Sequence, residues 1–185
     1  IRSDHPTLLL EHRWLYWNEE KLIGEKDHED MQSYEIFGSS AELVVLATSW
    51  MVVEANLARR VLLERGIDIA VISVSSLTGP MPDHIDNLIK KAGKVIIADN
   101  DWRYCGFGAE LASIIYERYF GYLKKPVVRI GFADDHCPTA RHMENEFYCN
   151  ANDILEAVGR LIDNVIEPVE PETLYSHERR FRGPF

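Results

Sequence analysis

Apolar and polar positions fall into blocks along this chain. The sharpest block is Lys94-Val95-Ile96-Ile97-Ala98, which stops at Asp99-Asn100-Asp101 and passes through Gly106 and Gly108 into a long apolar-periodic segment ending near Tyr119. A continuous apolar run followed by a polar, glycine-bearing loop and a helical period predicts strand, loop and helix. Glu110 then lies in the first helical turn, where a carboxylate suits the positive end of the helix dipole. Leu43-Val44-Val45-Leu46-Ala47 is a second continuous run, of the kind found in strands covered on both faces. Thr48-Ser49 is read as the cap of the helix after it, on which Met51, Val52, Ala55, Val61 and Leu62 recur at helical spacing. Gly66 sits where a left-handed helix end is expected.

The same alternation continues on both sides. Ile67 to Val74 predicts a strand, and Thr78-Gly79-Pro80-Met81-Pro82 a turn, because two prolines and a glycine cannot continue a strand. Asp83 is read as the cap of a helix carrying Ile85, Leu88 and Ile89, ended by Gly93. Pro126 opens a strand at Val127 to Ile130, where its missing donor does least harm. Asn152-Asp153 is read as the cap of a last helix with Ile154, Leu155, Val158, Leu161 and Ile162 on one face. Tyr34 to Phe37 is a short edge strand. Strands separated by helices imply parallel neighbours and right-handed crossovers, hence an α/β fold, a three-layer αβα sandwich on a five-stranded, mostly parallel sheet. The three most apolar runs, at 42–47, 67–74 and 94–98, belong in its middle, with 42–47 between the other two.

Residues 34–163 therefore read as one domain. Before it, Thr7-Leu8-Leu9-Leu10 and the aromatics Trp14, Tyr16 and Trp17 have no local core, so residues 1–17 are either an interface element or the last strand of a preceding domain, and the second reading is preferred. The chain opens on Ile1 rather than Met, which suggests a processed product or a piece of something longer. Residues 18–33 are charged without periodicity and read as a linker. Residues 164–185, with Pro168, Pro171 and Pro184, read as an extended tail that either joins an interface or stays disordered.

Composition narrows the partners more than the fold. The 185 residues are 46% hydrophobic and 27% charged, ordinary usage for a globular chain, and the formal charge is -10. That balance, with a pI near 5.1, disfavours nucleic acid and anionic membranes, which reward clustered Lys and Arg. Arg179, Arg180 and Arg182 in the tail are the exception. Cys105, Cys137 and Cys149 form no CxxC pair and are odd in number, so three free thiols and a reducing, cytoplasmic setting are expected. No apolar run approaches the roughly 20 residues a membrane span needs.

Several residues carry candidate chemistry. A glycine-rich turn before a helix can cradle phosphate, but Gly106-Phe107-Gly108 lacks the third glycine of a dinucleotide fingerprint and Glu110 would repel a pyrophosphate, so close helix–sheet packing is the preferred role. Asp99, Asp101, Asp134 and Asp135 follow strand ends and could gather with Thr48 and Ser49 in a switch-point crevice at the carboxyl edge of the sheet, where open α/β folds bind ligands. A hard cation is one use of them, and helix capping or pairing with neighbours is preferred. His136 beside Cys137 has the composition of a base and nucleophile, though sequence neighbours seldom share the geometry. His84 and His142 read as surface residues.

Taken in order, these motifs resemble the C-terminal domain shared by transketolases and the beta subunits of thiamine-diphosphate-dependent 2-oxoacid dehydrogenases. The segment from Leu8 to Tyr16, with Glu11, Leu15 and Tyr16, is similar to the end of the family's preceding pyrimidine-binding domain. Leu77 to Pro80 is similar to its Leu-x-Pro turn. Trp102, Gly106, Gly108 and Glu110 match its Trp- and Gly-rich loop, Lys125 to Arg129 its Ala-Pro-Val-x-Arg strand, and Asp135 to Pro138 its Asp-x-Pro loop. The chain departs at Ser73-Val74-Ser75-Ser76, at Asp99-Asn100-Asp101, and at Cys105, which stands where the family has glycine. By the resemblance, the strand at 34–37 lies antiparallel beside 67–74, and Trp102, Gly106, Gly108, Glu110, Arg129 and Pro138 are structural.

The resemblance implies a parent enzyme that uses thiamine diphosphate and magnesium. The family's Gly-Asp-Gly motif for the diphosphate and the glutamate that activates the cofactor ring are not among these 185 residues. The implied role is then assembly: packing against sister domains or an alpha subunit, forming a homo-oligomer, and docking an acyltransferase core, with no catalytic, cofactor-binding or metal-binding residue in this chain. Ketol transfer in a transketolase is the alternative activity of the parent. A stand-alone small-ligand binder using Thr48, Ser49, Asp99 and Asp101 and a pure docking module are the alternatives of a different kind.

Overall fold

A computed structural model of the chain describes residues 4, 6–17, 34–38, 42–78 and 81–170, with the side chains of Trp17, Arg141, His142 and Asn145 left aside. The expected linker at 18–33, most of the tail, Gly79-Pro80 and the side chains of Trp17 and His142 lie outside the described residues. The elements are β1 (Glu35–Phe37), β2 (Val44–Ala47), α1 (Met51–Glu64), β3 (Ala70–Ser73), α2 (Asp83–Ala92), β4 (Val95–Trp102), α3 (Phe107–Tyr119), β5 (Val128–Phe132), α4 (Arg141–Phe147) and α5 (Ala151–Ile162). Short 3-10 turns stand at Arg13–Trp17 and Phe120–Tyr122.

The five strands form one sheet in the order β1-β3-β2-β4-β5. β1 pairs antiparallel with β3, and every other pair is parallel. The expected order, the central place of 42–47 and the antiparallel edge all stand. Successive side chains of a strand point to opposite faces, and the core divides accordingly. Val45, Ala47, Val71, Ile96 and Ala98 pack under α1 and α5. Val44, Leu46, Ala70, Ile72, Val95 and Ile97 pack under α2 and α3. All four residues of β2 are fully buried, as a strand covered on both faces requires.

Helix ends show where local reading gave way to tertiary contacts. Gly66 and Gly93 take left-handed conformations, with φ of 77° and 66°, and close α1 and α2 as expected. The expected caps differ. Thr48 and Ser49 do not cap α1: Trp50 occupies the cap position without a side-chain bond, because the Thr48 hydroxyl is drawn to Asp99 across the sheet. Asp83 is the first residue of α2, behind Pro82, and makes no cap bond; with Asp86 it still places acid in the first turn. The α5 cap is Asn150, two residues earlier than expected. Its side chain accepts from Asn152 N at 2.8 Å, and Asp153 accepts from Asn150 N at 2.7 Å, a reciprocal capping box.

Strand boundaries also move, and one helix is new; β5, expected at 127–130, runs from Val128 to Phe132. β4 does not stop at Ala98 but continues through Asp99-Asn100-Asp101 to Trp102, since β5 offers a partner that reaches Phe132, with an irregularity between Ala98 and Trp102. β3 is shorter than the run from Ile67, because its pairing with β2 begins at Ala70. α4 has no apolar stripe in the sequence and was not expected; it is seven residues long and returns Phe147 to the sheet edge. Beyond α5, residues 165–170 have no regular secondary structure, and the Asn152 side chain accepts from Val169 N at 2.9 Å and donates to the Val169 carbonyl at 3.0 Å.

Candidate functional site

The carboxyl edge of β2 and β4 is where a ligand crevice was expected. Thr48 and Asp99 are both buried there, and the Thr48 hydroxyl donates to Asp99 Oδ1. Asp99 Oδ2 accepts from Gly108 N at 2.9 Å, which places its carboxylate at the N-terminus of α3. A buried carboxylate bonded to a hydroxyl and to an amide of a helix's first turn is a structural anchor, favoured by the helix dipole. Gly108 leaves little room for a side chain: a Cβ would lie 3.3 Å from Asp99 Cβ and 3.4 Å from Ile97 Cγ2. At Gly106 a Cβ would meet the Trp102 carbonyl at 2.1 Å. Both glycines therefore serve close approach of helix and loop to the sheet.

The other carboxylates disperse. Asp101 Oδ1 accepts from Trp102 N at 2.7 Å, Asp134 pairs with Arg103 at 2.5 Å, and Asp135 Oδ1 accepts from His136 N at 2.7 Å. Ser49 is exposed in a turn with φ 51°. Among the described residues, no group of three His, Cys, Asp or Glu side chains is placed to hold a metal ion. The thiol of Cys137 has Tyr148 Oη at 3.6 Å and the Pro138 carbonyl at 3.7 Å as partners, not His136. Burial, with the bond from Cys137 second, pushes the Tyr148 phenol up to about 12.

The motif residues line one rim. Trp102 stacks edge-on against Phe132 and Phe147 at 6.3 and 5.7 Å. Arg129 donates to the Arg103 carbonyl at 2.7 Å, fastening β5 to the loop after β4. Glu110 is exposed in the first turn of α3, Pro138 is half-buried, and Cys105 is exposed with φ 59°, in the region where glycine is most at ease.

Sequence reasoning missed a second set of residues on this edge. Glu54 is buried, accepts from the Trp50 indole N–H at 2.9 Å and from Ala151 N at 3.0 Å, and so ties the starts of α1 and α5 together. The i, i+4 spacing of Trp50 and Glu54 was the available signal. Trp14 is half-buried rather than left outside the core: its ring lies 5.5 Å from Trp50 and 5.3 Å from Tyr148. Tyr148 continues the contact to Phe132 at 5.4 Å and Phe147 at 5.0 Å. His12 stands against both Trp14 and Trp50, with Asn100 of β4 2.7 Å from its Nε2. By contrast Leu8, Leu9 and Leu10 have no regular secondary structure and are 84%, 74% and 68% exposed.

An open, mostly parallel αβα sheet, with one antiparallel edge and a glycine-tight loop folded onto β4, defines the class. The chain belongs to the transketolase C-terminal domain family, whose family model matches residues 34–154. It is 31% identical over 162 residues to the pyruvate dehydrogenase E1 component subunit beta-4, chloroplastic, of Oryza sativa subsp. japonica, covering 87% of this chain and 40% of that protein. It is 27% identical over 168 residues to the mitochondrial E1 subunit beta of Dictyostelium discoideum, covering 87% and 46%. The chain thus spans less than half the length of either relative. A solved split-gene transketolase, an inactive beta4 tetramer, shares the fold with a TM-score of 0.59 and 20% identity over 71% of this chain and 42% of that one.

Proposed function

We propose that these residues are the C-terminal assembly portion of a thiamine-diphosphate-dependent enzyme, most like the beta subunit of a 2-oxoacid dehydrogenase of pyruvate or branched-chain type. The observation that carries the reading is the similarity to E1 beta subunits over 87% of the chain. Residues 1–17 are then the end of a pyrimidine-binding domain, 18–33 a linker, 34–163 the family domain and 164–185 a tail at an interface. Three consecutive exposed leucines support this, because a continuous apolar run belongs inside a sheet covered on both faces. Sister domains or an alpha subunit, a second copy, and an acyltransferase core are the partners. Nucleic acid and membrane are not, in keeping with the acidic charge, and among the described residues no helix is long and apolar enough to cross a membrane. A reducing compartment such as the cytoplasm suits Cys105 and Cys137, which are exposed free thiols; the two relatives are chloroplastic and mitochondrial by name.

Thiamine diphosphate and magnesium belong to the parent enzyme in this reading. The residues at the carboxyl edge do not fit them: both Asp99 oxygens are engaged, and magnesium normally binds through one or two carboxylates plus ligand phosphates. Calorimetry on the 185-residue chain with magnesium and thiamine diphosphate should give no saturable micromolar isotherm, and the chain should turn over no 2-oxoacid or ketose phosphate. A micromolar isotherm abolished by Asp99→Ala or Asp101→Ala would overturn the assembly reading and make the crevice around Thr48, Ser49, Asp99 and Asp101 a ligand site.

A further inference from the structure

Residues 11–17 do more than lead into the domain, because they close its carboxyl edge. His12 sits at the centre of that contact. Its Nε2 faces the Asn100 side-chain Nδ2 at 2.7 Å and its Nδ1 faces the Trp14 backbone N–H at 3.3 Å; both partners are donors, and the neutral ring accepts from one of them through the nitrogen that carries no proton. The same ring stands 5.2 Å from Trp14 and 6.4 Å from Trp50, and Trp14 in turn covers Trp50 and Tyr148. We propose that residues 11–17 form a latch over the ends of β2 and β4, docked through neutral His12 on Asn100 and Trp14 on Trp50, and released when His12 is protonated.

A second ring proton removes that remaining acceptor and leaves both ring N–H groups facing donors. It also puts a charge into a half-buried site between two indoles. The titratable and charged groups of the packed elements are engaged elsewhere. Within the segment, Glu11 accepts from the Tyr16 hydroxyl at 2.7 Å, and Arg13 is its other charged member. From β4, Asp99 holds Thr48 and Gly108 N, and Asp101 holds Trp102 N. From α1, Glu54 holds the Trp50 indole and Ala151 N. Before α5, Tyr148 faces Trp14 and Cys137. Burial pushes His12 below its ordinary value. The docked state therefore prefers the neutral ring: docking is complete above the free imidazole's pKa and is lost as pH falls through the lower, docked one.

The test is NMR on the whole chain, following the His12 ring proton and the Trp14 backbone amide between pH 7.5 and 4.5. His12 should titrate below about 6.5, the ordinary value. Exchange of the Trp14 amide, corrected for its intrinsic pH dependence, should accelerate by up to about tenfold per pH unit across that window. His12→Phe keeps a ring for Trp50 but cannot titrate, and should abolish the pH dependence while the amides of β2 and β4 stay protected. Asn100→Ala should move the His12 titration up towards its ordinary value. A His12 that titrates at or above the ordinary value, a Trp14 amide protected to pH 4.5, or an unchanged pH dependence in His12→Phe would each overturn the latch.

Discussion

The centre of the sheet and its carboxyl rim are held together by different physics. In the centre, β2, β3 and the first half of β4 present alternating apolar side chains to two helical layers, and nearly every one is fully buried. Stability there is spread over many contacts that any apolar residue of similar volume can make. At the rim, a few polar groups each have one or two named partners: Thr48 with Asp99, Asp99 with Gly108, Glu54 with Trp50 and Ala151, His12 with Asn100. The centre tolerates exchange but not loss of volume, whereas the rim tolerates neither loss nor exchange, since removing one partner leaves the other buried and unpaired.

The largest effect should come from emptying the centre. Ile97→Ala removes a buried side chain between β2 and α3 and should cost about 2–5 kcal/mol in denaturant unfolding, with Ile97→Val well under half of that. A small cost for Ile97→Ala would mean that the helical layer collapses onto the sheet, and the contrast with the rim would fade.

At the rim, Glu54→Ala should cost about 1–3 kcal/mol, because the Trp50 indole and Ala151 N–H lose their acceptor. Glu54→Leu, equal or better in apolar volume, should not recover it, and Glu54→Gln should recover part. Full recovery by Glu54→Leu would show that the rim is a second apolar core.

The smallest effect separates the regions by chemistry alone. Cys149 is buried against Met51, and burial pushes its thiol up to about 12, while Cys105 and Cys137 are exposed. In the native protein an alkylating reagent should label Cys105 and Cys137 and leave Cys149 until denaturant is added, when all three react. Because the folded thiol holds its proton more tightly than the unfolded one, Cys149 lowers stability as pH rises above the unfolded thiol's value, by at most about 1.4 kcal/mol per unit. Cys149→Ala should flatten that alkaline decline; a decline unchanged in the variant would assign it to other groups.

The sequence by itself determined the layers. Continuous apolar runs mark strands covered twice and helical periods mark the covering helices, so the central place of 42–47 was legible from the pattern, while the antiparallel edge strand was implied by the family resemblance. Gly66 and Gly93 were legible for the same reason, since a left-handed helix end is a local demand that glycine meets. What tertiary structure alone decided lies where a residue's partner is far along the chain. Thr48 looks like a helix cap, yet its hydroxyl goes to Asp99, 51 residues away. Asp99-Asn100-Asp101 looks like a loop, yet it is an irregularity within β4, bracketed by the pairs Ala98 with Ile130 and Trp102 with Phe132. Trp14 looks stranded, yet Trp50 and Tyr148 receive it. The physical reason is one of range: burial preference is written into each side chain, while the identity of a hydrogen-bond partner is settled by which other elements the finished fold brings within 3 Å.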